Sequence, residues 1–343
     1  DSNPVLGHAT PYDHIRRDIL ICKAHNCNMI RTSHYPNDPR FYEMCDELGI
    51  YVCDEANIES HGMGYEEASL AHDPDFEYAH LERMKRMVRR DFNHPSIIVW
   101  SMGNEAGYGE NFRKGYNMIK EMDQSRPVQY ERSLGGEGTD IACPMYFPYD
   151  QCEKYLERKP AKPLIQCEYA HAMGNSMGGF KEYWDIIRKW EQYQGGFIWD
   201  FVDQALYWSV DPSKYGTDHV FVFGGDFNDY DPSDNSFCCN GIIAADRTYH
   251  PHAYEVAYQY RWILTSATAE AALAGKVDVY NEYFFIDLSR YTMHWDVEVD
   301  GSKVISGCVN MPAVAPQQTQ TVDLGYNEAD IMEASGLTDL AGH

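Results

Sequence analysis

The chain has 343 residues, 44% of them hydrophobic and 24% charged, which allows a large core, more than one domain and an ordinary globular fold. Its 28 basic and 53 acidic residues give a formal charge of −25, which repels phosphate backbones and anionic lipids and argues against nucleic-acid and membrane partners. The longest apolar runs, such as 96–100 and 195–199, are far too short for a transmembrane helix.

Residues 1–10 are polar and turn-rich, and 13–25 has a helical period. A strand-like apolar run, 27–33, follows, then a helix over 39–48 and a strand over 49–54. Helix 76–92, strand 96–102 and helix 111–122 continue the alternation, and strands 128–132, 141–146 and 164–168, helix 180–193 and strand 195–201 complete it. Most of these strands are nearly continuous in apolar or β-favouring residues, as buried parallel strands are. Alternating strands and helices predict a parallel α/β fold.

The count is seven strands, where a closed (β/α) barrel has eight, so the expectation is a TIM-type (β/α)8 barrel lacking its first strand. An open doubly wound sheet is the alternative, but it calls for a phosphate-binding glycine loop, and no GxGxxG or GxxxxGK[ST] occurs. Beyond about Leu264 the pattern changes to alternation at 276–280, 284–288, 294–299 and 303–305, with Asp300-Gly301 as a hairpin turn. The expected domains are therefore a barrel over 1–263 and a partial antiparallel β-sandwich, immunoglobulin-like, over 264–343.

Several of the ten cysteines, among them Cys53, Cys143 and Cys167, sit in apolar strand-like runs, where a thiol behaves as a small hydrophobe. There is no CxxC pair, and Cys238-Cys239 are adjacent, which suits neither zinc nor an ordinary disulfide. Reduced thiols and a cytoplasmic location are the expectation.

Catalytic groups of such a barrel gather just after the C-terminal ends of its strands. The polar residues there are Ser33-His34, Asp54-Glu55, Glu59-Ser60-His61, Gly103-Asn104-Glu105, Tyr146, Glu168 to His171, and Trp199-Asp200. Paired carboxylates with histidines and aromatics on one rim suit glycoside chemistry, in which one carboxylic acid protonates the leaving oxygen and the other carboxylate attacks the anomeric carbon. A lone glutamate would ordinarily be a solvated surface charge, and a lone histidine or tryptophan a core residue. Placement after buried strands reverses that reading for Glu105 and Glu168.

Four stretches carry a resemblance: Thr32-Ser33-His34-Tyr35-Pro36-Asn37, Asp54-Glu55-Ala56-Asn57-Ile58-Glu59-Ser60-His61-Gly62, Trp100-Ser101-Met102-Gly103-Asn104-Glu105 and Cys167-Glu168-Tyr169-Ala170-His171-Ala172-Met173-Gly174-Asn175-Ser176. With these the chain resembles the large bacterial β-galactosidases of glycoside hydrolase family 2. The resemblance implies hydrolysis of terminal β-galactosides such as lactose through a covalent galactosyl-enzyme, with transfer to acceptor sugars open to the same chemistry. It makes Glu168 the nucleophile and Glu105 the acid/base, with carboxyl groups about 5–5.5 Å apart for retention.

The resemblance further assigns Asn104 to the sugar 2-hydroxyl, His34 and His171 to the galactose, Tyr146 to the nucleophile and Trp199 to an apolar platform. It gives Glu59, His61 and Glu105 as an Mg²⁺ site, a donor set that a hard cation accepts. It also gives Asn240 and the Phe237 carbonyl as part of an Na⁺ site, completed in the family by an aspartate from an earlier domain. Family members carry further domains on both sides and form homo-oligomers, so the chain by itself is expected to be weak or inactive. Two rivals remain: a β-glucuronidase or β-mannosidase of the same family, and a carbohydrate-binding module that kept the fold without the chemistry.

Overall fold

The computed structural model describes residues 2–342, which form two compact units divided between Tyr260 and Arg261. In the first unit the order is α1 (Tyr12–Ala24), β1 (Met29–Arg31), α2 (Pro39–Leu48), β2 (Tyr51–Glu55), α3 (Glu77–Asp91), β3 (Ile97–Ser101), α4 (Glu110–Met122), β4 (Val128–Gln129), α5 (Tyr149–Glu157), β5 (Leu164–Tyr169), α6 (Phe180–Lys189) and β6 (Tyr193–Ile198). A hairpin of β7 (Leu206–Ser209) and β8 (His219–Val222), enclosing the short α7 (Pro212–Tyr215), and then α8 (Pro251–Gln259) complete it. Strands β1 to β4 pair in chain order as one parallel sheet, and β5 pairs parallel with β6.

Why this sheet curls is visible in its alternation. Val52 and Trp100 face one cluster with α2, α3 and α4 residues such as Tyr42, Met84 and Phe112. Their neighbours Cys53 and Val99 face the other way and meet Ile141, Cys143 and Cys167, with Met29 and Phe197 packed against them. Side chains from β1, β2, β3, β5 and β6 converge in that second cluster, which is the interior of a (β/α) barrel filled with small and branched residues.

Local chemistry fixes the helices. Helix α2 begins where Asp38 accepts from the Arg40 N–H beside Pro39, and it stops at Gly49 in the left-handed region (φ 72°). Helices α5 and α8 were not expected from the pattern. Each follows a proline or begins with one, Pro148 and Pro251, in short segments whose apolar stripe is weak.

The expected strand 141–146 is a correction. It meets β5 only at isolated parallel bridges, Ala142 with Leu164 and Met145 with Glu168, because Pro144 has no N–H to give a ladder and Tyr146 turns the chain with φ 51°. Beyond β6, residues 240–243 run parallel to 200–203. Asp200 N donates to Asn240 O at 2.9 Å, Ile242 N to Asp200 O at 3.2 Å and Asp203 N to Ile243 O at 3.0 Å.

The second unit contains β9 (Ile263–Ser266), α9 (Ala269–Leu273), β10 (Lys276–Asn281), β11 (Thr292–Val299), β12 (Ser302–Asn310), β13 (Thr319–Asp323) and α10 (Glu328–Ser335). An antiparallel sheet β13-β10-β9 and the hairpin β11-β12 share one core, with Val279 and Val322 from the sheet and Met293 and Val309 from the hairpin. Asp300 and Gly301 (φ 52° and 73°) form the expected hairpin turn. Residues 284–288 are not a strand. The Asn281 side chain accepts from Tyr283 N and donates to the Ile286 carbonyl, curling that segment and leaving Phe284 and Phe285 exposed.

Candidate active site

The C-terminal ends of β1, β2 and β3 carry Arg31, Glu55 and Ser101, each two residues past an interior residue and so on the same inward side. Glu55 is fully buried. Arg31 Nε and Nη2 donate to its two oxygens at 2.8 and 3.0 Å, and Ser101 Oγ donates at 2.6 Å. Burial alone would raise the Glu55 carboxyl, but the Arg31 charge and the His34 and Arg31 hydrogen bonds overcome it and hold the group at about 2.

The same guanidinium joins the nominated residues. Arg31 Nη1 reaches Glu168 Oε1 at 3.0 Å and the Cys167 carbonyl at 2.9 Å, while Nη2 reaches Asn104 Oδ1 at 2.9 Å. The other oxygen of Glu168 accepts from the Tyr146 hydroxyl at 2.7 Å. Glu168, 6% exposed, therefore has a cation on one oxygen and a phenol on the other. The Tyr146 ring meets His171 edge-on at 5.8 Å, and His171 lies 5.9 Å from the Phe237 ring. Burial lowers the His171 imidazole below its usual value, which favours the neutral ring.

His34 sits 2.9 Å from Glu55 Oε1 through Nδ1 and stacks on Trp199 at 5.1 Å. One face of that indole is thus taken by the imidazole. Asn104, 1% exposed, sends Nδ2 toward Glu59 Oε1 at 3.4 Å, and an NH2 group keeps a second hydrogen for another acceptor.

Glu105 follows β3 with φ 40°. Its Oε2 lies 3.0 Å from His61 Nδ1, and its Oε1 accepts from the Tyr65 hydroxyl at 2.9 Å. Glu59, His61 and Glu105 each offer a ligand atom, all within 4.8 Å of one another. Two carboxylates and an imidazole at that spacing fit a divalent cation that keeps part of its water shell.

The second cation site fits less completely. Asn240 Nδ2 donates to the Phe237 carbonyl at 2.5 Å, so that oxygen already has a donor, and the buried Asn240 Oδ1 has no hydrogen-bond partner. An orphaned acceptor of this kind suits a cation or a hydroxyl, and the Phe237 carbonyl keeps a second lone pair beside the hydrogen bond it accepts.

Sequence reasoning named the loop positions of Glu55 and Asp200 without a role, and it missed Arg31, Tyr65, Glu131 and Arg132. Glu131 is buried, accepts the Glu105 N–H at 3.0 Å and is pushed up to about 7 by burial, against the pull of Arg132. Asp200 is pushed up to about 7, also by burial. Arg31 was the findable one, since an arginine at the inward end of a barrel strand needs a buried anion. Tyr65 comes from a loop whose sequence carries no period, and Glu131 and Arg132, read as the end of strand 128–132, lie in a 3-10 turn, Glu131–Ser133, beyond β4.

Comparison with known proteins follows the same lines. Residues 1–265 match the family described as glycosyl hydrolases family 2, TIM barrel domain, and residues 277–335 match beta-galactosidase, domain 4. The chain is 44% identical to a β-galactosidase of Photobacterium profundum over 342 residues, covering 95% of this chain and 32% of that protein. It is 43% identical to a β-galactosidase of Alteromonas mediterranea over 340 residues, with 94% and 32% covered. The chain thus spans about a third of the length of the curated relatives it matches.

Among solved structures, a β-glucuronidase of Ruminococcus gnavus superposes with a TM-score of 0.59 at 20% identity, covering 76% of this chain and 49% of that one. A β-galacturonidase of Eisenbergiella tayi bound to galacturonate gives 0.57 at 21%, with 76% and 50% covered. At those identities the likeness is one of fold.

Proposed function

We propose, from the premise that this chain belongs to glycoside hydrolase family 2, that it forms the catalytic barrel of a retaining β-galactosidase. The observation that carries the reading is the guanidinium of Arg31, which binds both Glu168 and Asn104, the residue that precedes Glu105. Identity of 42–44% to proteins called β-galactosidase favours galactosides over glucuronides.

In this reading the Glu168 carboxylate attacks the anomeric carbon, while Glu105 gives its proton to the departing glycosidic oxygen. Water then enters, Glu105 takes its proton, and the bond to Glu168 breaks with retained configuration. Tyr146 and Arg31 keep Glu168 aimed, and the spare Asn104 N–H meets the sugar 2-hydroxyl. His34 and His171 line the sugar, and Trp199 gives it an apolar wall. Glu59, His61 and Glu105 would hold Mg²⁺, which supplies a fixed positive charge beside the acid/base. Asn240, with Phe237, would meet Na⁺ or the sugar directly.

The substrate is a β-galactoside, and a homo-oligomer in the cytoplasm belongs to the same proposal. The free state of all ten cysteines supports a reducing compartment. Among the described residues no helix is long and apolar enough to cross a membrane.

The test is a panel of nitrophenyl glycosides given to the protein in its full encoded length, whatever flanks these residues, and to the 343-residue chain. Preferential turnover of the β-galactoside by the full-length protein, lost in Glu168→Gln, supports the reading. Preference for a glucuronide or mannoside, or galactose binding without turnover, overturns it.

A further inference from the structure

Glu105 is held by more than its nominated partners. The loop after β2 passes through a short 3-10 turn, His61–Met63, and Gly64 (φ 71°) redirects it so that Tyr65 faces the loop after β3. The two loops are clamped together. Ser69 Oγ donates to the Ala106 carbonyl at 2.7 Å, and a Cβ on Gly107 would fall 2.2 Å from Ser69 Oγ and 3.0 Å from the Tyr65 carbonyl, so only glycine permits the approach.

At that seam the Tyr65 hydroxyl donates to Glu105 Oε1 at 2.9 Å. The Tyr65 ring is contacted by the Arg132 guanidinium 3.6 Å from its centroid and by the stacked His61 ring at 5.4 Å. Arg132 is itself fixed, with Nε 2.9 Å from Glu131 Oε1, and its Nη2 lies 3.4 Å from Glu105 Oε1. Glu131 Oε1 also accepts the Glu105 N–H at 3.0 Å. Backbone and carboxyl of Glu105 are therefore both in contact with the group formed by Tyr65, Glu131 and Arg132.

We propose that Tyr65, seated by Arg132, is a positioning residue that sets the orientation of the Glu105 carboxyl for proton transfer to the leaving group. Tyr65 acts through Glu105 and need not touch the sugar. Removing its hydroxyl takes away the shortest contact on Oε1 and leaves that oxygen only Arg132 Nη2 at 3.4 Å, so the carboxyl is held less firmly, while the ring and the seat of Arg132 remain. The inference rests on the acid/base role proposed for Glu105.

The experiment compares kcat/KM of wild type and Tyr65→Phe, in the full-length protein, on an alkyl β-galactoside and on 2,4-dinitrophenyl β-galactoside. An alkoxide leaves only with a proton, whereas dinitrophenolate departs without one, and kcat/KM reports the step in which the leaving group departs. The expected result is a loss of about ten- to a hundredfold on the alkyl substrate, the worth of a hydrogen bond to a charged group, with less than about threefold on the dinitrophenyl one. Arg132→Lys, which keeps charge but loses the flat stack, should show the same split in milder form. Equal losses on both substrates, or none, overturn the proposal.

If the enzyme prefers another glycoside, the function reading fails and the same pair of leaving groups on that sugar still decides the role of Tyr65. A crystal structure of Tyr65→Phe decides it without turnover: a displaced or disordered Glu105 carboxyl is expected, and an unmoved one overturns the inference.

Discussion

The guanidinium of Arg31 reaches Glu55, Asn104, Glu168 and the Cys167 carbonyl, partners from three other strand ends of the barrel. Glu55 is fully buried; the remaining protein partners of its carboxylate are Ser101 and His34, while its own backbone N–H donates to Thr32 Oγ1. Arg31→Met would leave that carboxylate without its cation, and breaking a buried pair from one side costs about 3–5 kcal/mol. Urea unfolding should show a loss of that size, and a loss under about 1 kcal/mol would mean that Glu55 does not depend on Arg31. Arg31→Lys should recover little of it, because an ammonium cannot span Glu55 and Glu168 as a planar fork does.

Glu105 and Glu168 were legible at this scale as polar residues that follow buried strands inside distinctive motifs, and Arg31 links Glu168 to the Asn104 beside Glu105. Tyr65 and Arg132 were not legible, because their roles depend on which loops meet, and spacing in sequence does not encode that; Arg31 was findable at the inward end of β1, but its partners on other strand ends were not.

At the scale of elements, the segment 240–243 lies so close to 200–203 that Gly241 has no room for a side chain. A Cβ there would meet Asp203 N at 2.3 Å and Ile243 O at 2.5 Å, both backbone atoms that cannot swing away. Gly241→Ala should destabilise the protein by about 1–3 kcal/mol, as overpacking does, and should weaken galactoside binding through the adjoining Asn240. Gly178→Ala, where nothing lies within 4 Å, is the control and should change neither. If thermal melts of the two variants coincide, the close approach is not a constraint.

Strands β2, β3 and β5 were legible because they are largely buried and open on apolar or β-favouring residues, with the polar ones, Asp54-Glu55 and Glu168 among them, gathered toward their C-terminal ends. Segment 141–146 read the same way, yet Pro144 breaks its ladder. Strand β13 was invisible because only Val322 of its residues is buried. The hairpin β7–β8 was likewise missed, its first strand half-buried at best.

For the whole molecule, burial works against charge even far from the site. Asp54 is fully buried, accepts from the Tyr42 hydroxyl at 2.6 Å and from Thr32 Oγ1 at 3.1 Å, and has Asp91 beside it. Its carboxyl is raised well above the usual range, chiefly by burial, with Asp91 adding to the effect and the Tyr42 hydrogen bond opposing it.

The native state then binds a proton that the unfolded chain gives up near pH 4. The associated stability is complete below that pH and declines as pH rises toward the native-state value. Unfolding free energies measured across that range should carry this downward slope in the wild type relative to Asp54→Asn, whose neutral side chain removes it. An identical pH dependence in both proteins would mean that Asp54 is ionised when folded. The fold class of both units was legible because it rests on strand and helix order, whereas this buried acid pair rests on packing between β2 and α3.

The most direct test of the account is covalent trapping. The full-length protein should be treated with 2-deoxy-2-fluoro-β-D-galactosyl fluoride, digested, and its peptides weighed. A fluorogalactosyl adduct on Glu168, formed as activity is lost, is the predicted result. An adduct on Glu105 or on any other residue would contradict the assignment of Glu168 as nucleophile, and continued turnover with no adduct would contradict the covalent, retaining mechanism itself.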